Sequence, residues 1–123
     1  MSRKAKVARA VSLSPRLRIQ SGNEIPLGPG KADLLALIDE THSISEAAKR
    51  MKMSYMRAWT LIQTMNSSFK EPLIVTARGG EKGGGAQLSD TGRKVLALYR
   101  QMNEDCQRAC AASWKQLQEF LVG

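Results

Sequence analysis

The chain has 123 residues, of which 42% are hydrophobic, and it carries a formal net charge of +8. This length suits one domain with a single core, and no apolar run approaches the roughly 20 residues that a membrane span needs. The chain has one histidine, no paired carboxylates in an apolar setting and no nucleophile motif, so an enzyme is not favoured. We therefore expect a cytoplasmic protein without catalytic residues or a cofactor. His42 and two cysteines are too few ligands for a metal site.

The charge is unevenly distributed along the chain. Residues 1–18 carry six basic residues and no acidic one, residues 19–48 have a net charge of −4, and residues 49–94 have one of +6. Basic blocks on a small protein point first to nucleic acid, although charge alone fits a solvated face and a disordered tail equally well. We expect residues 1–12 to form a basic disordered tail and residues 13–123 to form one domain.

The start of this domain shows strand signals. Apolar and polar residues alternate over residues 13–20, which predicts a short half-buried strand, and Pro15 limits it to a sheet edge or a strand start. A turn at residues 21–23 and a second short strand at residues 25–27 are predicted next.

Two helices follow in the sequence. The spacing of apolar residues predicts the first over about residues 31–41. Ser43 and Glu46 then have the spacing of a capping box, in which each side chain satisfies a free backbone donor. A short helix should therefore run over about residues 44–51.

After a break, residues 55–68 predict a longer helix that Ser54 caps. Trp59 is expected to pack where this helix meets the following strands. The residues that recur at helical spacing and should face the core are Ala58, Leu61, Ile62, Met65 and Phe69.

A short helix, a break and a longer helix predict a helix-turn-helix, whose second helix enters the major groove of DNA with its N-terminal residues. Two helices that merely pack in a core are the alternative. The exposed residues of the second helix that suit contacts with base edges and phosphates are Ser54, Tyr55, Arg57, Thr60 and Gln63. Further phosphate contacts are predicted for Lys49, Arg50 and Lys52.

Residues 79–88 contain five glycines and one lysine. A phosphate-binding P-loop would need Lys-Ser/Thr after the glycines and a helix next, and a linker is disfavoured by the apolar residues on both sides. A hairpin tip between strands at 73–76 and 86–88 fits best. This β-ribbon after a helix-turn-helix predicts a winged helix, mainly α with a small β component. Arg78 and Lys82 would then reach phosphates or the minor groove.

Residues 89–121 predict one long helix, which begins at the cap Ser89-Asp90. Its apolar stripe is longer than a winged-helix core can cover, so the distal part should meet a partner helix. The two cysteines on this helix are expected to be reduced and half-buried. The residues assigned to a dimer interface are Met102, Cys106, Cys110, Trp114, Leu117 and Leu121.

Three segments carry a resemblance to a known family. They are Ser43-Ile-Ser-Glu-Ala-Ala-Lys49, Met53-Ser-Tyr-Met-Arg-Ala-Trp59 and Gly79-Gly-Glu-Lys-Gly-Gly-Gly-Ala-Gln-Leu88, with Met65-Asn66 and Gly92 as further matches. Together they closely resemble the DNA-binding domain of ModE-type molybdate-responsive regulators, which is distantly similar to that of LysR-type regulators. The resemblance covers about residues 13–121.

The resemblance implies a homodimer that binds an inverted repeat in double-stranded DNA and regulates molybdenum uptake or molybdoenzyme genes at the bacterial nucleoid. Ser54, Tyr55, Arg57 and Lys82 match the recognition and wing positions. Such regulators continue into molybdate-binding domains, whereas this sequence ends at Gly123. Either it is a piece of a longer protein, or it is a natural single-domain relative, which the basic tail favours. A single-domain relative would need a separate molybdate-sensing protein, or control of its abundance, to respond to the metal. A module that heterodimerises through its last helix is the alternative function.

Overall fold

Five helices and four short strands make up the computed structural model, which describes residues 10–77 and 85–122. The helices are α1 (Pro29–Thr41), α2 (Ile44–Arg50), α3 (Tyr55–Ser68), α4 (Asp90–Ala109) and α5 (Ala111–Gln118). The strands are β1 (Ile19–Ser21), β2 (Glu24–Leu27), β3 (Ile74–Ala77) and β4 (Gly85–Leu88). They form two antiparallel ribbons, β1–β2 and β3–β4.

The N-terminal ribbon is shorter than the sequence predicts. Strand β1 begins only at Ile19, whose side chain is exposed, so the prediction of a half-buried strand over residues 13–20 is wrong. The carbonyls of Leu13 and Leu17 instead accept hydrogen bonds from Gln107 Nε2 and Tyr99 Oη, each at 2.8 Å. This segment therefore lies along α4 and not beside another strand. The predicted turn is confirmed, with Gly22 at a φ of 64°.

Helices α1, α2 and α3 surround the core, as their apolar spacing predicts. Among the residues that are at most 2% exposed are Leu34, Leu35, Ile38, Ala47, Ala58, Ile62 and Met65. Leu61, Phe69 and Trp59 are half-buried and pack against this cluster. The predicted stripe of α3 therefore faces the core.

The capping of α2 is only half of the predicted box. Ser43 Oγ accepts from the backbone N–H of Glu46 at 3.0 Å, as predicted. The backbone N–H of Ser43 donates to Thr41 Oγ1, however, and the carboxylate of Glu46 pairs with Arg50. Thr41 thus takes the backbone donor that a capping box assigns to the side chain of Glu46.

Asn66 joins α3 to the second ribbon. Its Oδ1 accepts from the backbone N–H groups of Leu73 (2.8 Å) and Ile74 (3.1 Å), and its Nδ2 donates to the carbonyl of Ile74 at 3.0 Å. Strands β3 and β4 then pair from Ile74 with Leu88 to Ala77 with Gly85. The far end of α3 and the base of the ribbon are therefore held together by three hydrogen bonds.

The last helix is interrupted, so the prediction of one helix over residues 89–121 needs correction. Helix α4 ends at Ala109 and α5 begins at Ala111, and the residue between them, Cys110, has a ψ of −1°. This ψ lies outside the usual α-helical range and interrupts the regular helix there. Ser89 caps α4 as predicted, because its Oγ accepts from the N–H of Gly92 at 2.9 Å.

Candidate nucleic-acid interface

The N-terminal turn of α3 is exposed and polar. Ser54 Oγ accepts from the backbone N–H of Arg57 at 3.0 Å, which confirms the predicted cap and leaves the hydroxyl proton free to donate. Tyr55 and Arg57 are exposed, the former by 49%. Three groove-reading residue types therefore stand together at the helix end that enters a groove in helix-turn-helix proteins.

Further along α3, Thr60 and Gln63 are also exposed. They alternate with the buried residues Ala58 and Ile62, so the helix presents one polar face and one core face. The sequence prediction missed Met56, which is 66% exposed on the first turn. A large exposed side chain there suits an apolar contact with a thymine methyl group. The signal that could have identified it is the apolar spacing of α3, which places position 56 outside the buried face.

Basic residues surround the turn between α2 and α3. Lys49 and Lys52 are exposed, and Lys52 has a φ of 59°, in the left-handed region. Arg50 is exposed too, but its guanidinium pairs with Glu40 (3.1 Å) and Glu46 (3.3 Å). Exposed pairs of this kind contribute little to stability, so Arg50 can exchange them for a phosphate at small cost.

The two predicted contacts of the wing lie outside the described residues. Arg78 and Lys82 fall between β3 and β4, whose pairing ends at Ala77 and Gly85. The predicted ribbon on both sides of the glycine-rich stretch is confirmed.

The sequence prediction also missed a basic cleft, which we name the ribbon cleft. It has a volume of about 260 Å³ and lies where the N-terminal ribbon meets the first turns of α1 and α3. The basic residues that line it are Arg16, Arg18, Lys31 and Arg57. Residues 16 and 18 stood out in the sequence only as part of a basic block, since nothing local indicates that they approach residue 57.

One phenol helps to position this cleft. Tyr99 is 3% exposed, and burial raises its pKa above the ordinary value, while Asn103, Arg16 and Arg18 partly offset the effect and Asp33 adds to it. The protonated phenol donates to the carbonyl of Leu17, the residue between the two arginines.

The predicted dimer residues lie on α4 and α5 or directly beside their ends, and most of them are exposed. Met102 is 39% exposed, Leu117 51% and Leu121 44%, whereas Trp114 and Cys106 are half-buried. Cys110 is exposed and not half-buried as expected. Both thiols are free. Helix α5 has no buried residue, so the described part of the chain leaves this surface open.

Neither a metal cluster nor a membrane span is found in the described part. Residues 10–77 and 85–122 contain no group of three potential His, Cys, Asp or Glu ligands. In the same ranges, no helix combines the length and apolarity needed to cross a bilayer.

The fold is that of a winged helix, with α2 and α3 as the helix-turn-helix and β3–β4 as the wing. It resembles the structure of a point mutant of ZitR from Lactococcus lactis with a TM-score of 0.53, over 85% of this chain and 68% of that one. The two sequences are only 15% identical, so this likeness concerns the fold.

Sequence comparison relates the chain to molybdenum-linked proteins, although no family model matches it. It is 37% identical over 108 residues to the molybdenum transport protein ModE of Azotobacter vinelandii, which covers 88% of this chain and 40% of that protein. It is 37% identical over 81 residues to the DNA-binding transcriptional dual regulator ModE of Escherichia coli, which covers 66% of this chain and 31% of that protein. It shares 42% identity over 73 residues with the molybdenum-pterin-binding protein MopB of Rhodobacter capsulatus, which covers 59% of this chain and 27% of that protein.

The chain thus spans two fifths of the Azotobacter protein and less of the other two. The names of these relatives describe regulators, transport proteins and binding proteins, in agreement with the expectation that the chain is not an enzyme.

Proposed function

We propose that this chain is a DNA-binding module of a transcriptional regulator, and that it binds an inverted repeat in double-stranded DNA as a homodimer. The observation that carries the proposal is the exposed turn at the start of α3, where Ser54, Tyr55 and Arg57 stand together beside a basic α2–α3 turn. Each base pair presents a distinct pattern of donors and acceptors in the major groove, which such side chains can read.

The regulated genes are proposed to serve molybdenum uptake or molybdoenzymes. The support is the similarity to relatives named for molybdenum transport and transcriptional regulation, which covers most of this chain. Whether the module acts as an activator or a repressor depends on where its operator lies, so genomic footprinting should be the first experiment.

Binding can be tested by fluorescence anisotropy with sequences enriched from a random duplex pool. We expect a preference for duplex over single strands. With about five phosphate contacts per chain, affinity should fall on the order of a thousandfold or more per dimer between 50 and 200 mM salt. Arg57→Ala should relax base preference, whereas Lys49→Ala should weaken all sequences alike. These roles would be contradicted if no sequence were enriched from the pool, or if both variants lost specificity equally.

A second candidate is an interaction module that heterodimerises through α4 and α5. The observation in its favour is the exposed apolar residues at the end of the chain, with Phe120 86% and Val122 81% exposed. Sedimentation of the purified chain distinguishes the two candidate functions. A homodimer supports the DNA-binding module, and a monomer that binds no duplex supports the interaction module.

A further inference from the structure

The charged groups that line the ribbon cleft all have the same sign. Four of its eleven lining residues are cationic, the other seven are apolar residues or glycines, and no Asp or Glu of the described residues lines it. The ion pairs found in residues 10–77 and 85–122 involve other arginines, namely Arg50, Arg93 and Arg108. Like charges brought together without a counter-charge repel each other, so the cleft suits an anion supplied from outside the chain.

The fold holds these cations in place. Tyr99 and Gln107 of α4 bind the carbonyls of Leu17 and Leu13, which pins residues 13–17 to the helix. Leu17 is half-buried, whereas Arg16 and Arg18 on either side of it are exposed, as expected when successive side chains of an extended segment alternate. Both arginines therefore project from the side that lines the cleft.

The side chain of Arg18 packs against the start of α1. Its Cγ lies 3.4 Å from the position that a Cβ would take at Gly28, so the side chain of Arg18 runs over the start of α1. Lys31 reaches across from α1 and donates to the carbonyl of Ile25, on the N-terminal ribbon. The stems of both side chains are thus supported, which lowers the entropy lost when their charged groups bind.

Arg57 connects this cleft to the recognition helix. It lines the cleft and also belongs to the exposed first turn of α3. An anion in the cleft would therefore lie directly beside whatever α3 binds. The anion that borders a major groove on a duplex is the phosphate backbone.

We propose that the ribbon cleft binds phosphates of the DNA backbone next to the groove that α3 enters, with Arg16, Arg18 and Lys31 as contacts. This inference rests on the proposed function and adds the N-terminal ribbon to the DNA interface. Phosphate contacts position a protein without reading sequence. The cleft therefore contributes affinity and orientation, while α3 provides specificity.

The first test compares charge-matched double variants by anisotropy at 50 to 200 mM salt, on the preferred duplex and on a scrambled one. Arg16→Ala/Arg18→Ala should lower the salt slope by about two per chain and the affinity roughly fiftyfold per half-site at 0.1 M salt. Both duplexes should be affected equally. Arg16→Lys/Arg18→Lys should restore most of the slope, since it retains the charge.

The control is Lys70→Ala/Arg93→Ala, which removes the same charge. Lys70 follows the far end of α3, and Arg93 lies in the first turn of α4, which starts beside the base of the wing. We expect only a small effect on binding, because these residues are far from the start of α3. Equal loss in both double variants would show that net charge alone acts, and the proposal would then be overturned.

A second test places a negative charge in the cleft without disturbing the fold. Gly30, in the first turn of α1, lines the cleft, and nothing lies within 4 Å of the position that a Cβ would take there. An acidic residue there is favourable for the helix. Gly30→Glu should therefore fold normally, as thermal unfolding can check, but bind both duplexes at least tenfold more weakly than Gly30→Gln.

The results separate failure of this inference from failure of the proposed function. If the wild-type chain binds no duplex, both are wrong. If it binds and the cleft variants match it in affinity and salt slope, only the cleft proposal is wrong. Calorimetry with inorganic phosphate adds a third possible result. If Arg16→Ala/Arg18→Ala abolished the binding of inorganic phosphate but left duplex binding unchanged, the proposal would be overturned. The cleft would then be a site for a small oxyanion.

Discussion

At the scale of single residues, the Tyr99 hydroxyl ties the first and last parts of the chain together. It bonds a carbonyl 82 positions away in sequence, and burial raises its pKa. Its protonated form therefore stabilises the fold fully below about pH 10, and this contribution is lost as pH rises through the higher pKa of the folded state.

Tyr99→Phe tests this contribution. We expect the free energy of unfolding to fall by about 1 kcal/mol at pH 7, because the carbonyl of Leu17 loses its donor. Above about pH 10 the stability of the wild type should fall as Tyr99 ionises, and the stability of the variant should fall less steeply. Urea titrations across this range provide the measurement, and identical pH profiles for the two proteins would contradict the role of the phenol.

Asn66 is the residue that sets α3 against the wing. Asn66→Ala leaves the N–H groups of Leu73 and Ile74 without their acceptor, and Leu73 is fully buried. We expect a loss of about 2 kcal/mol or more in unfolding free energy. The matched control on the same helix is Gln63→Ala, whose exposed side chain should change stability by less than about 0.5 kcal/mol. Similar values for the two variants in chemical denaturation would show that Asn66 does not hold the wing.

At the scale of elements, the contact between α4 and the base of the wing requires glycine. A Cβ at Gly92 would overlap the carbonyl oxygen of Leu73 and lie 3.0 Å from its carbonyl carbon, although the helix itself has no need of glycine there. Neither backbone can move without disturbing the Ser89 cap, whose hydroxyl donates to the carbonyl of Pro72 at 2.6 Å.

Gly92→Ala should therefore destabilise the protein by about 1 to 3 kcal/mol, as overpacking does. Gly30→Ala is the comparison, since its Cβ would meet open space and helix propensity predicts a gain of up to about 1 kcal/mol. Thermal unfolding should shift in opposite directions for the two variants. A shift in the same direction would mean that α4 approaches the wing less closely than the structure shows.

At the scale of the whole molecule, α5 is expected to hold two copies together. Deletion of residues 110–123 removes no buried side chain of α5, so the remaining chain should fold. We expect a monomer by sedimentation velocity that binds its operator weakly, because one half-site provides only half of the contacts. Leu117→Glu should have the same effect, with Gln116→Glu as the control. If the truncated protein stays dimeric, the interface lies elsewhere, such as the segment at residues 13–20.

Molybdate binding is also a property of the whole molecule. We predict that this chain alone does not bind molybdate selectively, because a selective oxyanion site needs several fixed donors in an enclosed cavity. The ribbon cleft is lined by exposed arginines and matches a polyanion better. Calorimetry with molybdate against sulfate at equal ionic strength checks this, and selective micromolar binding of molybdate would prove the prediction wrong.

The local elements of this protein were predictable from sequence because their signals act within a few residues. Ser54 caps a helix that starts one residue later, and the apolar spacing of Ala58, Ile62 and Met65 selects the face that becomes buried. The paired strands around the glycine-rich stretch follow in the same way from β-branched residues and turn residues. Helix, turn and ribbon together determined the winged-helix class.

Only the tertiary structure decided what joins these elements. The strand expected over residues 13–20 is mostly absent because side chains of α4, 82 and 94 positions away, take the carbonyls of Leu17 and Leu13. The same contacts bring Arg16 and Arg18 to the cleft beside Arg57. No local pattern contains this information, because a hydrogen bond between distant residues forms only once the core has packed and fixed their separation.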